Sequence, residues 1–452
     1  MCYYIEQYSF ISLQRRRVKI KLFGSSSGGR HSSSKAQPAR EAKSSAAVAV
    51  KPKEKAKAKP AKKAKKPHKL RRVLITFACI IALLAGLYTF VVYTNIPAIK
   101  NLREAYIETA MSTLSHHWMA ELFFPQDMID EVMGRVTDAE NDQAGIISKW
   151  TDSKDSKADK ELESKKDFFK LFSELDETSF EQYVKAHPDV TKKGWDKIYI
   201  NEAGIDDDGT SIKTVQGDQV LAVDAENKLL IVRVKGSGYQ GVLAIAKDPS
   251  LLRCCLSSHI GAYGEYLEDL VKNNDGVIGI TGSGFIDENG VGSGGDLAGY
   301  TMCEGREYGT HYGYGKKRIE LHSDDRLYIT DAYNDVGSGT TDAVEFSPAL
   351  IVDGKVLVDE MSGFTSIQPR AVLGQTRHGE ILMLVIEGRL VGRSLGVGLP
   401  ECTDIMVRYD AYQAMNLDGG TSAVIWYRGE YITKCSNPQI QCRYLPNAWV
   451  YG

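Results

Sequence analysis

The apolar residues of this chain first concentrate in one uninterrupted run. The 22 residues from Val73 to Thr94 (VLITFACIIALLAGLYTFVVYT) include no charged side chain. As a helix they would span roughly 33 Å, about the thickness of the hydrocarbon core of a bilayer. A core helix of a soluble protein is one alternative, but such helices are rarely apolar on every face. A cleaved signal peptide is another, and the long basic segment before the run argues against it. The pattern therefore predicts a single transmembrane helix.

Two amphipathic segments follow the predicted membrane span. Apolar residues recur at helical spacing in 99–124 and again in 167–184, and a charged Ser/Asp/Lys-rich spacer, 151–166, separates them. We expect these segments to form a helical stalk with a charged linker. His116 and His117 fall within it, but adjacent helix positions point in different directions, so the pair does not predict a metal site.

Short β-branched runs broken by Gly and Asp begin at Trp195 and dominate the remaining residues. Four runs predict strands, at 221–234, 349–358, 371–386 and 423–433. Three of them fold back as hairpins over the turns 353–354, 377–380 and 428–430. The segments 263–272 and 401–412 predict helices packed on the sheet. The expected fold class is α+β, with a largely β core and packed helices, preceded by a single transmembrane helix and a helical stalk.

These patterns divide the chain into four parts. They are a disordered basic arm (1–72), a transmembrane helix (73–94), a helical stalk with a charged linker (95–194) and a largely β domain (195–452).

The basic arm and the rest of the chain carry opposite charge. Residues 1–72 contain 21 Lys or Arg and three Glu, a formal charge of +18, whereas the whole chain carries −2. The Lys/Ala/Pro-rich stretch of the arm buries too little apolar surface to fold. Basic residues next to the predicted span place the N-terminus in the cytoplasm and the C-terminal domain outside the cell membrane. We expect the arm to contact anionic lipid headgroups. Nucleic-acid binding is the alternative, but the arm lacks the interleaved aromatic residues of single-strand binders.

Six cysteines fall on the predicted outward side of the membrane, where an oxidising compartment allows disulfides. They are Cys254, Cys255, Cys303, Cys402, Cys435 and Cys442. Cys435 and Cys442 flank a short Pro-containing loop and are the first choice for a pair. Zinc binding is the alternative, but no Cys-x-x-Cys motif occurs.

Candidate chemistry lies in three Gly-rich segments of the C-terminal domain, 279–295, 368–389 and 416–422. Each places Gly beside a polar or charged residue. Glycine lets a backbone approach a ligand closely or take a positive φ, so such clusters at strand ends form concave sites. A tight β-turn is the alternative for any one of them alone.

In order and spacing, the motifs of these segments resemble those of the phosphodiester glycosidase family, the relatives of the N-acetylglucosamine-1-phosphodiester alpha-N-acetylglucosaminidase "uncovering" enzyme. The matching residues are Ser283-Gly284-Phe285, Pro369-Arg370 with Gly374, Glu387-Gly388-Arg389, and Asn416-Leu417-Asp418-Gly419-Gly420 with Ser422. The resemblance covers about residues 196–452. Within the family, the chain is similar to bacterial forms with an N-terminal membrane anchor and a helical stalk.

The resemblance implies hydrolysis of a sugar-1-phosphodiester at its sugar side, which releases a free sugar such as N-acetylglucosamine and leaves a phosphomonoester. Phosphate is a good leaving group, so such a site needs cations more than it needs an acid. The candidate catalytic residues are Asp418, which would attack the sugar or deprotonate water, then Glu387 as second choice, and Arg370. The candidate substrate-binding residues are Arg389, Asn416, Ser422, Thr376, Gly284, Gly419, Gly420 and Arg443. For Arg370 and Asp418 a buried salt bridge is the alternative. We predict no cofactor and no metal.

The chain departs from the family pattern at three places. Ala371 stands where relatives have Thr, Thr421-Ser422-Ala423 where they have a further Gly-Ser-Ser/Thr, and Gln441-Cys442-Arg443 where they have Gly-Glu-Arg. A fold tolerates such changes more easily than an activity does. The leading hypothesis is an extracytoplasmic enzyme that acts on a phosphate-linked glycan of the cell envelope or on an exopolysaccharide. The alternative is a non-catalytic polysaccharide-binding or envelope-assembly membrane protein with a degenerate site.

Overall fold

The computed structural model describes residues 68–113, 115–150, 162–287, 292–359 and 362–452, and there the chain is α+β, as the sequence predicts. The helices in these ranges are α1 (His68–Tyr93), α2 (Pro97–Met111), α3 (His117–Phe123), α4 (Gln126–Asp142), α5 (Lys165–Leu171), α6 (Glu177–Ala186), α7 (Leu267–Lys272) and α8 (Leu399–Arg408). The basic arm up to residue 67 lies outside the described residues, so its disorder and its lipid contacts stay predictions.

The strands of the described residues form three antiparallel sheets. A nine-stranded sheet has the order β1-β2-β3-β4-β15-β14-β16-β12-β13, and two five-stranded sheets have the orders β10-β9-β11-β7-β8 and β18-β17-β6-β19-β5. The strands are β1 (Tyr199–Asn201), β2 (Gln219–Asp224), β3 (Leu229–Gly236), β4 (Tyr239–Ala246), β5 (Leu252–Leu256), β6 (Ile278–Thr281), β7 (Tyr300–Cys303), β8 (Arg306–Gly309), β9 (Lys317–His322), β10 (Leu327–Asp331), β11 (Thr340–Phe346), β12 (Ala349–Val352), β13 (Lys355–Val356), β14 (Arg370–Thr376), β15 (Ile381–Ile386), β16 (Ala411–Asn416), β17 (Ile425–Tyr427), β18 (Glu430–Tyr431) and β19 (Asn447–Tyr451).

Helix α1 includes nearly all of the apolar run that predicts a membrane span. The stretch Arg71–Tyr93 is 23 residues long, about 35 Å as a helix, and its apolar side chains are exposed. Among the described residues it is the one helix long and apolar enough to cross a membrane. This is consistent with a single-pass membrane anchor or with a signal sequence. The chain divides into two compact units between Phe90 and Val91.

In the second unit, the nine-stranded sheet has a hydrophobic core on each face. On one face, Val372 and Leu384 pack with helices that include Phe168 of α5 and Ile405 of α8. On the other face, residues of the two five-stranded sheets cover it, Trp449 among them. A strand buried on both faces loses the apolar–polar alternation of a half-exposed strand. This is why β14, β15 and β16 are almost entirely buried along their length.

The segment predicted to form a stalk is packed within the second unit. Helices α5 and α6 contribute Phe168, Phe172 and Phe180 to the same core as the nine-stranded sheet. Helices α2, α3 and α4 share a smaller core of their own, centred on Ile107 and Ile129. The compact unit therefore begins well before Trp195.

Strand pairing around β14 brings two of the three Gly-rich segments to one end of the nine-stranded sheet. Because β14 runs antiparallel to both neighbours, its first residue lies beside their last ones. Arg370 pairs with Ile386 of β15, and Val372 pairs with Asn416 of β16. The chain leaving β15 toward Arg389 and the chain leaving β16 toward Asp418 therefore start at this end of the sheet.

Candidate active site

The loop that follows β16 carries Asp418 and is fixed by backbone hydrogen bonds to two sheets. Its Leu417 amide donates to the carbonyl of Ala371 on β14 at 2.9 Å, and the Asp418 amide donates to the carbonyl of Gly282 at 3.3 Å. Gly282 directly follows β6, so the loop ties the nine-stranded sheet to one of the smaller sheets. These bonds hold the Asp418 backbone in one place.

Two glycines let this loop lie close to the start of β14. A Cβ on Gly419 would lie 2.8 Å from the carbonyl oxygen of Pro369, which is too close for any other residue. The Gly420 amide donates to that same carbonyl at 3.1 Å, and Gly420 has a φ of +59°. Glycine adopts this left-handed backbone conformation at no steric cost. The two glycines are therefore required by the path of the loop.

Asp418 is half-buried, and its surroundings favour the protonated carboxyl group. Its pKa is raised to about 6, chiefly by burial and in part by the nearby charge of Asp287. The Ser422 hydroxyl and the Arg443 guanidinium lower the pKa, but together they do not offset burial. A carboxyl group with a pKa near 6 exchanges its proton readily close to neutral pH.

Arg443 links Asp287 to the Asp418 loop. Its Nη1 lies 2.7 Å from Oδ2 of Asp287, and the side chains are 18% and 5% exposed, respectively. The same nitrogen donates to the hydroxyl of Thr421 at 3.3 Å. The guanidinium also lies over the ring of Phe285, 4.4 Å from its centroid. Sequence reasoning missed Asp287, although it lies two residues after Phe285 in one of the Gly-rich segments.

Arg389 lies beside Gly420 of the same loop and is exposed. Its Nη1 and Nη2 lie 3.5 and 3.7 Å from the position a Cβ would take on Gly420. Nη2 also donates to Oε1 of Gln368 at 3.0 Å. The guanidinium is thus oriented beside the loop while much of it remains open to solvent. Bidentate binding of phosphate oxygens suits such a group.

Arg370 lies next to this loop at the start of β14, with its Cα 4.0 Å from the Cβ position of Gly419. Its Nη2 donates to the carbonyl and the hydroxyl of Ser366 at 2.6 and 2.8 Å, and its Nε donates to the Val397 carbonyl at 3.2 Å. Burial lowers its pKa, and the positive charge of Arg389 acts in the same direction. Among the described residues, Nη1 of Arg370 has no hydrogen-bond partner. Both arginines therefore lie next to the loop, Arg370 at Gly419 and Arg389 at Gly420.

The structure places Glu387 in an ion pair with Arg393. Its Oε2 lies 2.5 Å from Nε of Arg393, and its Oε1 accepts from Nη2 of Arg393 at 2.9 Å and from the Lys434 amide at 2.8 Å. The residue is 2% exposed. Both oxygens are therefore engaged, and neither is open to a substrate. The sequence groups Glu387 with Arg370 and Asp418 as candidate catalytic residues, whereas the contacts of its carboxylate are with Arg393 and Lys434.

Three further candidates also have structural partners. Thr376 is the last residue of β14, about 20 Å along the strand from Arg370, and bonds to Glu380 in the following turn. The Asn416 Nδ2 donates to the Ser347 carbonyl at 2.7 Å, and its Oδ1 is buried without a partner among the described residues. A Cβ on Gly284 would lie 3.2 Å from the Phe346 ring. Of the predicted residues, the structure brings together Asp418, Gly419, Gly420, Ser422 and Arg443, with Arg389 and Arg370 beside them.

The predicted disulfides are not present in the described residues, whose cysteines are all free thiols. The sulfurs of Cys254 and Cys303 are 3.1 Å apart, well beyond a bond of about 2.05 Å. Cys435 and Cys442, our first choice, are likewise unbonded and buried. Within the described residues, no group of three or more His, Cys, Asp or Glu side chains is arranged to hold a metal ion.

Comparison with known proteins gives this arrangement a context. Residues 274–451 match the model of the phosphodiester glycosidase family. No curated protein matches the chain. One similar solved structure is the catalytic domain of zebrafish N-acetylglucosamine-1-phosphodiester alpha-N-acetylglucosaminidase, auto-inhibited by its pro-peptide, at 16% identity and a TM-score of 0.40, covering 49% of this chain and 81% of that one. Another is a hypothetical protein from Synechocystis, at 13% identity and a TM-score of 0.37, covering 52% of this chain and 63% of that one.

The matched segment spans from just before β6 to β19 and includes Asp287, Arg370, Arg389, Asp418 and Arg443. Within residues 274–451 this chain is similar to the phosphodiester glycosidase family.

Proposed function

We propose that this protein hydrolyses a sugar-1-phosphodiester at the sugar side, in a cell-envelope glycan or an exopolysaccharide outside the cytoplasm. The observation that carries the proposal is the position of Asp418. It is a half-buried carboxyl group with a pKa of about 6, it lies in a loop near Arg389, Arg370 and the Asp287–Arg443 ion pair, and it falls in the segment that matches the phosphodiester glycosidase family.

In the proposed reaction, the arginines bind the phosphate. Departure of the phosphate from the anomeric carbon leaves a phosphomonoester whose negative charge grows as the bond breaks. Arg389 presents an exposed guanidinium, and Arg370 has a free Nη1 held in place by its other nitrogens. A preoriented cation stabilises growing charge without further reorganisation. The phosphate thus leaves without a protonated acid.

In the same reaction, Asp418 acts on the sugar side. In its ionised form it either deprotonates the attacking water or attacks the anomeric carbon itself. The carboxylate of Asp287, in its ion pair with Arg443, lies near Asp418. The charges of both residues help to set the pKa of Asp418. Asp287 does not act on the substrate, because Arg443 and the Gly292 amide occupy both of its oxygens. We assign Glu387 a structural role, because Arg393 and Lys434 occupy its oxygens.

The proposed location follows from α1 and from the distribution of charge. A helix of this length and apolarity serves as a single-pass anchor. The basic residues of 1–72 favour a cytoplasmic N-terminus, with the arm at anionic lipid headgroups and the domain outside. A site on the outer side would meet glycans of the envelope.

One observation favours the alternative of a non-catalytic glycan-binding protein. Cys442 stands where the family pattern has Glu, and it is buried with its pKa raised to about 12, so it is a neutral thiol. The domain has therefore lost one carboxylate of that pattern. We propose that Asp418, whose pKa Asp287 helps to raise, is sufficient without it.

A direct test uses the purified full chain in detergent with a synthetic N-acetylglucosamine-1-phosphodiester. Phosphorus NMR follows conversion of the phosphodiester to a phosphomonoester, and a coupled assay follows the free sugar. We expect both products in equal amounts. Binding of the glycan without either product would favour the alternative.

A further inference from the structure

Helix α2 carries a buried carboxylate that bonds to the loop before β14. Glu108 is 4% exposed. Its Oε2 accepts from the amide and the hydroxyl of Thr365 at 3.0 and 2.9 Å, and its Oε1 accepts from the amide of Ser366 at 3.0 Å. The next residue of the helix, Thr109, accepts from the amide of Ile367 at 2.9 Å. Three successive loop amides therefore donate to two successive helix residues.

The same loop holds Arg370. The Ser366 carbonyl and hydroxyl accept both bonds that Nη2 of Arg370 makes, at 2.6 and 2.8 Å. A chain of contacts thus runs from Glu108 through Ser366 to the guanidinium. The charge of Glu108 also raises the pKa of Arg370, against the effect of burial. The carboxylate and the guanidinium are therefore coupled by charge as well as through the loop.

Helix α2 is held in position by hydrogen bonds and by a buried apolar side chain. Nη1 of Arg103 donates to the carbonyls of Val91, Val92 and Thr94 at 3.1, 2.8 and 3.0 Å. Ile107 is completely buried in the core shared by α2, α3 and α4. A rigid helix can fix a loop in a way that a mobile segment cannot.

The burial of Glu108 contributes unfavourably to the free energy of folding. Burying a carboxylate carries a large desolvation cost, and the groups that donate directly to Glu108 among the described residues are neutral. Hydrogen bonds from backbone amides to a charged acceptor are strong and directional. They suit a residue that fixes the position of a loop.

We propose that Glu108 is a positioning residue for Arg370, and that α2, outside the family-matched segment, completes the anion-binding side of the site. The inference rests on the proposed function, in which Arg370 binds the phosphate. In this arrangement Glu108 touches no substrate. It fixes the Thr365–Ile367 loop, the loop fixes Nη2 of Arg370, and Nη1, which has no partner among the described residues, is available to bind the phosphate.

The first test needs no activity. Hydrogen exchange is measured by mass spectrometry on the full chain in detergent for wild type, Glu108→Gln and Glu104→Gln. Glu104 is the matched control because it lies one turn earlier on α2 and pairs with Arg135 at 2.8 Å. We expect exchange of the 365–367 amides to rise about tenfold or more in Glu108→Gln, from loss of a charge-assisted bond, and to stay unchanged in Glu104→Gln. Equal exchange in the two variants would overturn the inference.

The second test is a double-mutant cycle on release of free sugar. If Glu108 acts through Arg370, Glu108→Gln lowers kcat/KM about tenfold in the wild-type background and has no further effect in Arg370→Ala. An equal loss in both backgrounds would mean a general structural role and would overturn the inference. If wild type releases no sugar, the proposed function fails, and binding of inorganic phosphate replaces the kinetic readout. Weaker phosphate binding in both Glu108→Gln and Arg370→Ala, without further loss in the double variant, would still support the positioning role, and unchanged binding in Glu108→Gln would refute it.

Discussion

Arg443 and Asp287 form an ion pair of 2.7 Å at the edge of the Asp418 loop, and the side chain of Asp287 is almost completely buried. The pair connects residues 156 positions apart in the sequence. Its two charges act on Asp418 in opposite senses, since Asp287 raises its pKa and Arg443 lowers it. The protonation state of Asp418 near neutral pH therefore depends on a residue pair that no local motif displays.

The first prediction concerns the pH dependence of the proposed reaction. If ionised Asp418 is the base or nucleophile, kcat/KM rises with pH, with a midpoint near 6, and levels off at higher pH, where the carboxyl group has lost its proton. Asp287→Asn removes a negative charge that raises this pKa and frees Arg443, so the midpoint of the profile moves to lower pH. Initial rates of sugar release between pH 4 and pH 8, about two units either side of the midpoint, measure both effects.

A control for this prediction is Asp189→Asn, whose side chain is 83% exposed and far from the site in sequence. Its profile should match that of wild type. A midpoint that Asp287→Asn leaves unchanged would contradict the proposed coupling between the two carboxyl groups.

The second prediction concerns stability. The pKa of Asp418 is raised from 3.8 to about 6 on folding, so the folded state binds more protons between these values and loses stability as pH rises through them. Asp418→Asn removes the buried charge and should raise the free energy of unfolding at pH 7 by about 1–2 kcal/mol. At pH 4 the gain should largely disappear. Urea unfolding at the two pH values measures it, and a gain of equal size at both would refute the assigned cause.

The third prediction is that Glu387 stabilises the fold and takes no part in the reaction. Glu387→Gln weakens a bidentate contact with Arg393 and a bond from the Lys434 amide, so the free energy of unfolding should fall by about 1–3 kcal/mol. Below the unfolding temperature, kcat/KM should remain within about threefold of wild type. A loss of kcat as large as that of Asp418→Asn would instead mean that Glu387 is a catalytic residue.

The fourth prediction concerns Arg389. Removing its exposed guanidinium in Arg389→Ala should raise KM for the phosphodiester about tenfold or more, because a charge-assisted contact to phosphate is lost. Stability should change little, since the side chain is exposed. Arg306→Ala, an exposed arginine of β8, is the matched control and should leave KM unchanged. Equal values of KM for the two variants would mean that Arg389 does not bind the substrate.

Much of the fold follows from local patterns. The predicted hairpin turns at 353–354 and 377–380 do connect β12 to β13 and β14 to β15. The prediction failed where a helix and a buried strand adjoin. The expected helix 401–412 ends at Arg408, and Ala411–Asn416 is instead β16, a strand buried along its whole length. Without apolar–polar alternation, such a run cannot be distinguished from the end of a helix.

The candidate site was less predictable because its contacts join distant segments. Motif spacing identified Asp418 with its flanking glycines, since the path of the loop itself requires Gly419. It did not reveal that Glu387 pairs with Arg393, or that Asp287 pairs with Arg443. Nor did it show that Glu108, in a segment predicted to be a stalk, bonds to the loop before β14. Which partner a charged side chain meets is set by tertiary packing.

The proposed reaction has water attack the sugar and not the phosphorus, and it requires Asp418. Hydrolysis of an N-acetylglucosamine-1-phosphodiester in water enriched with oxygen-18 tests it most directly, with phosphorus NMR of the product. We expect a phosphomonoester without the heavy isotope from wild type, and no product above background from Asp418→Asn. Heavy oxygen in the phosphate, or undiminished turnover by the variant, would contradict it.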